Sequence, residues 1–137
     1  MGLGKTIQTI AFLAGLNYSG LSTGATLIVC PATMLKQWES EIHLWWPMFR
    51  VAIFHSSGAN PNNDITGNKA VRLLERMKAG RGIVITTYGT LKANQELLLR
   101  ERWDYAVLDE GHQIRNPDAE VRWGSIDCRL CFLRACH

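Results

Sequence analysis

The chain has no apolar stretch of membrane-spanning length. Lys, Gln, Asn or Ser interrupts every hydrophobic run, well short of the roughly 20 residues that a bilayer-crossing helix needs. A secretory leader is also not expected, because Lys5 is followed by a glycine-bounded helical pattern and not by a cleavable apolar segment. Cysteine is scarce: Cys30 ends an apolar run, and Cys128, Cys131 and Cys136 crowd the C-terminus. That spacing is not a disulfide framework, so a reducing, intracellular compartment is expected. Charge of either sign is sparse in the first part, where only Lys5, Lys36, Arg50, Glu39 and Glu41 precede Pro61. A net charge of +3 permits a nucleic-acid partner without arguing strongly for one. There is no internal repeat, and no basic cluster of the kind that targets a protein to the nucleus.

What is present fits one compact domain of 137 residues with 47% hydrophobic content. Short apolar runs alternate with segments of helical period, which points to an α/β fold: a parallel sheet flanked by helices. The stretch KTIQTIAFLAGL predicts a helix with Ile7, Ile10, Ala11, Ala14 and Leu16 near one face. ATLIVC predicts a buried strand stopped by Pro31, and TMLKQWESEIHLW an amphipathic helix with Leu35, Trp38, Ile42 and Trp45 on one stripe. RVAIF and RGIVITT predict further strands, separated by a surface loop over 55–68 and a short helix in NKAVRLLERMKAG. YGTLKANQELLLRERW predicts a mostly helical segment, and DYAVLDEGH opens as a fourth strand.

Two segments carry chemistry. Gly2, Gly4, Lys5 and Thr6 open the first helix. Glycines let backbone N–H groups turn toward phosphates, a lysine offsets their charge, and a hydroxyl can hold Mg²⁺. The full phosphate-loop pattern places its leading residue five positions before Gly4, upstream of Met1. The second segment puts Asp109 at the carboxyl end of an apolar strand, where open α/β sheets bind ligands. An aspartate there suits Mg²⁺, and the adjacent Glu110 can orient or deprotonate an attacking water. Each half alone has an ordinary structural explanation, a chance GKT before a helix or a strand ending in a solvated acidic turn. Their combination in alternating α/β elements favours a nucleoside-triphosphate site. No guanine-reading Asn-Lys-x-Asp follows, since Asn68-Lys69 continues as Ala70-Val71; ATP is the expected nucleotide.

MGLGKTIQTIAFLAGL, LIVCPATMLKQWESEIHLWWP, GIVITTYGTL and WDYAVLDEGHQIRNPDAEV, in that order, resemble successive motifs of the SWI/SNF-type DNA-dependent ATPases of helicase superfamily two. The wording is nearest to the branch that acts in transcription-coupled DNA repair. The resemblance implies an incomplete RecA-like P-loop lobe over 1–121. It assigns Gly2, Gly4, Lys5 and Thr6 to the ATP phosphates and Mg²⁺. Asp109, Glu110, Gly111 and His112 match a DEAH-type box, with Asp109 serving the metal, Glu110 the water and His112 coupling nucleotide state to neighbouring motifs. Pro31, Ala32 and Thr33, and then Thr86, Thr87 and Tyr88, match segments that face the DNA backbone. Sequence-independent tracking on double-stranded or nucleosomal DNA would follow, because hydroxyls and N–H groups contact phosphates without reading bases. Nuclear localisation, and in the parent protein a transcription-machinery partner, are implied by the resemblance alone.

Other readings stay open. Apart from the resemblance, Thr86 and Thr87 read as ordinary β-branched strand residues; His112 could be a polar loop residue, though beside Asp-Glu-Gly coupling is favoured. Trp38, Trp45 and Trp46 fit packing better than base stacking. Lys69, Arg72, Arg76, Lys78 and Arg81 fit a solvated helix face better than a DNA patch. The segment RWGSIDCRLCFLRACH departs from the family pattern, so 122–137 is expected to be a disordered or non-native tail. A zinc reading of Cys128, Cys131, Cys136 and His137 is weaker, since only one Cys-x-x-Cys pair exists. The strand that should feed the phosphate loop and the strand that should follow the DEAH-type box are both expected to be missing, leaving a gap between the two halves of the site. A lobe so interrupted is expected to hydrolyse ATP negligibly. An inactive DNA- or partner-binding fragment, or a strand-separating helicase lobe, are the alternatives.

Overall fold

The computed structural model describes residues 3–21, 24–55, 68–109 and 128–134. Their order along the chain is α1 (Leu3–Tyr18), β1 (Thr26–Cys30), a 3-10 turn (Ala32–Met34), α2 (Leu35–Trp45), β2 (Val51–Phe54), α3 (Asn68–Ala79), β3 (Ile83–Thr87), α4 (Tyr88–Ala93), α5 (Gln95–Arg100), β4 (Trp103–Asp109) and β5 (Cys128–Arg134). The strands form one five-stranded sheet in the order β2-β3-β1-β4-β5, and every pairing is parallel.

Continuous apolar composition suits a strand covered on both faces, and β1 (TLIVC), β3 (IVITT) and β4 (WDYAVLD) are buried at every position. The strand order then decides where the helices go. A parallel crossover is right-handed, so the direction of travel across the sheet selects the face that its helix covers. The chain moves one way from β1 to β2, and α2 packs with α1 on one face; Ile10, Leu13, Trp38 and Ile42 meet Ile28, Ile85 and Val107 there. It moves the other way from β2 to β3 and from β3 to β4. Accordingly α3, α4 and α5 bury Leu74, Leu91 and Leu98 against Leu27, Val29 and Val84 on the opposite face.

Local details follow the same logic. In α1 the inward stripe is Thr6, Ile10, Leu13 and Ala14, while Ala11 is exposed. That shifts the expected face by part of a turn. Trp45 also departs from its expected stripe: it is 52% exposed and its indole donates to Glu41 at 2.9 Å. The expected single helix after β3 breaks at Asn94, whose N–H bonds back to Thr90 and Leu91. Between α3 and β3 the chain turns through Arg81 at φ 53°. A Cβ on Gly82 would lie 2.4 Å from Met77 Cε and 2.8 Å from the Arg50 carbonyl oxygen, so only glycine fits this close approach.

One expectation is corrected. The sequence leads one to expect that residues 122–137 form a tail outside the lobe, with no strand after the DEAH-type box. Cys128–Arg134 instead pairs parallel to β4, from Trp103↔Cys128 to Asp109↔Arg134. The physical reason is the edge of β4, whose backbone N–H and C=O groups need partners once β4 is buried. CRLCFLR lacks a clean apolar alternation because arginines stand within it and at its end, and this hid it in the sequence. An extended strand is also not the tight turn that a Cys-x-x-Cys metal knuckle uses, which weakens the zinc reading further. The rest of the expected tail, and the loop over 56–67, lie outside the described residues.

Candidate nucleotide site

In a parallel sheet all strands finish at one end. β1 stops at Cys30, β3 at Thr87 and β4 at Asp109, level with one another in register. The last residues of α1 lead into the start of β1, so α1 runs against the strands and its first turn, with Gly4, Lys5 and Thr6, stands at that same end. There Gly4 and Lys5 are exposed, and Thr6 is 1% exposed on the inward stripe.

Strand alternation sends Tyr105, Val107 and Asp109 of β4 to one face. Tyr105 and Val107 belong to the α1/α2 core, and the Asp109 carboxylate joins them, accepting the Trp38 indole N–H at 3.0 Å. Cys30 of β1 stands next to it in register on the same face. Thr6 from α1, Trp38 from α2, Cys30 from β1 and Asp109 from β4 therefore converge on one side of the sheet at its C-terminal end. Asp109 is 3% exposed, and a buried carboxylate is retained only with donors or a cation beside it. Trp38 supplies one donor, and the Tyr88 hydroxyl donates to the Asp109 backbone carbonyl. Burial, followed by the neighbouring Asp109 charge, pushes the Cys30 thiol up to about 12. Cys30 is thus a neutral wall of the site and not a nucleophile.

The chemistry of this donor set fits Mg²⁺ bound to a nucleotide phosphate. A hydroxyl and a carboxylate are hard oxygen ligands of the kind Mg²⁺ prefers, and an exposed lysine lies one residue from the hydroxyl. Glu110, Gly111 and His112 follow β4 directly but, like Gly2, lie outside the described residues. Among the described residues no group of three or more His, Cys, Asp or Glu side chains could hold a metal by itself.

The other predicted residues flank a crevice. After β1 the chain turns through Pro31, Ala32 and Thr33 toward α2, and after β3 through Thr87 and Tyr88 into α4 on the opposite face. Neighbouring strands whose connections diverge in this way open a crevice at their carboxyl ends. Ala32 and Thr33 are exposed there. Thr86 and Thr87 are buried, and their hydroxyls have internal work. Thr86 donates to the Phe54 carbonyl at 2.8 Å. Thr87 caps α4 by accepting the Thr90 N–H at 3.1 Å and donates to the Thr90 hydroxyl at 2.9 Å. His55, at the end of β2, lies 2.9 Å from the same Thr90 hydroxyl.

Two residues of this environment were not legible as site residues. Trp38 reads correctly as a core residue, yet its contact with Asp109 spans 71 positions. The available signal was general: a buried indole N–H needs an acceptor. Asp104 likewise carries no local signal in the sequence. It is buried and accepts the Gly24 N–H at 2.7 Å, which ties the α1–β1 connection to the start of β4.

Comparison with known proteins agrees with this architecture. Residues 1–127 match the family model described as SNF2-related domain. The chain is 47% identical over 131 residues to human DNA excision repair protein ERCC-6, covering 88% of this chain and 8% of that protein. It is 40% identical over 166 residues to the Saccharomyces cerevisiae DNA repair and recombination protein RAD26, covering 94% of this chain and 15% of that protein. Among solved structures, the Sulfolobus solfataricus SWI2/SNF2 ATPase core in complex with dsDNA superimposes with a TM-score of 0.76 at 28% identity, covering 98% of this chain and 26% of that one. The chain thus spans a small part of the relatives it matches. In strand order, helix placement and sequence alike, this chain belongs to the SNF2-related domain family.

Proposed function

We propose that this chain is the ATP-binding part of the first lobe of a DNA-dependent ATPase, one that couples nucleotide hydrolysis to movement along double-stranded DNA in repair and chromatin remodelling. The observation that carries the proposal is the convergence of the α1 first turn and the buried Asp109 on one face at the carboxyl end of the sheet. Relatives named as DNA repair proteins and a neighbour solved with dsDNA support the choice of DNA as the track, and nuclear action goes with it. The ATP-binding lobe in this reading is 1–121, with β5 contributing to its sheet.

Lys5 and the glycines beside it would hold the ATP phosphates, while Thr6 and Asp109 would hold Mg²⁺. Bound Mg²⁺ neutralises the charge that develops on the phosphoryl oxygens. Trp38 fixes the rotation of the Asp109 carboxylate through its 3.0 Å bond. Glu110 would orient and deprotonate the attacking water, and His112 would report nucleotide state. Across the crevice, Pro31, Ala32 and Thr33 would meet phosphates of the DNA backbone. Thr86 and Thr87 would act by holding the start of α4 in place, with Tyr88 linking that segment to the end of β4. Nucleosomal DNA and the transcription machinery would be partners of the complete protein. Translocation is favoured over strand separation because backbone contacts track a duplex without opening it.

The test is titration of the chain with a fluorescent, slowly hydrolysed ATP analogue in the presence of Mg²⁺. Lys5→Ala should weaken binding at least tenfold, and withdrawal of Mg²⁺ should do the same in the parent chain. Hydrolysis by the isolated chain should stay near background with or without DNA. Binding indifferent to both changes would remove the nucleotide-site reading.

A further inference from the structure

Strand β2 is the outermost strand of the sheet on the side away from the nucleotide site. Its pairing with β3 fixes which backbone groups face inward: the Ile83 N–H bonds to the Arg50 carbonyl at 2.7 Å. Alternation along a parallel ladder then turns Ala52 toward β3 as well, and turns the N–H and C=O groups of Val51 and Ile53 outward. No described residue bonds to these outward groups. An edge of this kind is a template for an added strand.

The same edge borders a cleft of about 320 Å³ lined by His43, Phe49, Arg50, Leu73, Arg76 and Met77, together with the strand itself. Phe49 and Met77 give it a buried apolar floor. The charge is of one sign, because no lining residue is acidic. Arg50 and Arg76 are exposed, and neither forms an ion pair among the described residues. Lys78, by contrast, is paired with Glu101. Both guanidinium groups lie toward α3: Arg76 is in its last turn, and the Arg50 chain crosses its end, with Cδ 3.0 Å from a Cβ built on Gly80.

We propose that the β2 edge binds an extended segment of a partner protein that alternates acidic and apolar residues. An added strand sends successive side chains to opposite faces. Such a segment would present every carboxylate to Arg50 and Arg76 and every apolar side chain to the other side, beside Val51 and Phe49. Backbone pairing supplies affinity, and the two arginines set the sequence preference and register. The surface is remote from the nucleotide site, so it suits a tether or regulator and not a substrate.

The test uses fluorescein-labelled octapeptides and fluorescence anisotropy on the purified chain. A Val-Glu alternating peptide should bind saturably, and a Val-Lys peptide should not. The R50E/R76E double variant should lose about tenfold or more of the affinity, as expected for two reversed charge contacts, and both substitutions are at exposed positions that leave the core untouched. N-methylating every second residue of the peptide in one phase should abolish binding, while the opposite phase should preserve it. The proposal is overturned if both phases bind alike, if the lysine peptide binds equally well, or if R50E/R76E leaves the affinity unchanged. It is also overturned if the acidic peptide fails to bind while a 20-base-pair duplex binds and weakens with R50E/R76E, since the arginines would then be contacting phosphates.

Discussion

Replacing Trp38 by Phe removes one N–H donor from a buried carboxylate and keeps an aromatic ring in the core. Two contributions to the loss can be separated. The smaller ring forfeits apolar contact in a fully buried position, worth about 2 kcal/mol at ~0.8 kcal/mol per methylene equivalent. The lost hydrogen bond to a charged acceptor, 3.0 Å long, is worth about 1.5–3 kcal/mol. The total of roughly 3.5–5 kcal/mol does not by itself identify the bond, because packing alone could destabilise strongly. A double-mutant cycle does. Trp38→Phe, Asp109→Ala and the pair would be unfolded in urea and followed by far-UV circular dichroism, which does not depend on the missing indole. The coupling energy should fall in the 1.5–3 kcal/mol range. A coupling below about 0.5 kcal/mol would refute the claim that Trp38 orients Asp109 and would reduce it to a packing residue.

Thr87→Ala should cost about 1–2 kcal/mol by removing the cap of α4, while Thr87→Ser keeps the hydroxyl and should retain most of the stability; equal losses in thermal melts would assign the effect to the methyl group. Cys30 should resist alkylation. With its thiol pushed up to about 12 by burial and then by Asp109, the thiolate fraction at pH 8 is on the order of 10⁻⁴, against roughly a quarter for a free thiol near 8.5. Its labelling by iodoacetamide, read by peptide mapping so that the other cysteines do not interfere, should stay slow and rise about tenfold per pH unit up to pH 11. The sign follows from the neutral form being the one that the fold accommodates. Rapid labelling at pH 8 would contradict the closed wall described around Asp109.

The elements that carry strong local signals were legible. β1, β3 and β4 are continuous apolar runs ended by Pro31, Thr87 and Asp109, and their covering helices show a helical apolar period. Both halves of the candidate nucleotide site carry local signals, GKT at a helix start and Asp-Glu after a strand, and so the sequence proposes them. Relations that cross the chain were hidden. Trp38 meets Asp109 through folding alone, and Thr86 and Thr87, which the family resemblance places facing DNA, turn inward because β2 and α4 offer them nearby acceptors and donors. β5 carries a weak local signal for a related reason: its conformation is set by the waiting edge of β4, and its own pattern holds little of the information.

The strand order has a consequence for how the chain is made. β1 is synthesised well before its two partners, β3 and β4, which come from the later half of this sequence. Non-local pairing of this kind delays folding, because a long loop must close before any contact rewards it. Until β3 and then β4 clear the exit tunnel, TLIVC waits with unsatisfied edges and five apolar or β-branched side chains. The candidate nucleotide site is therefore completed only once β4 has been made. Until both partners are made, the apolar surface of its central strand is open to misassociation.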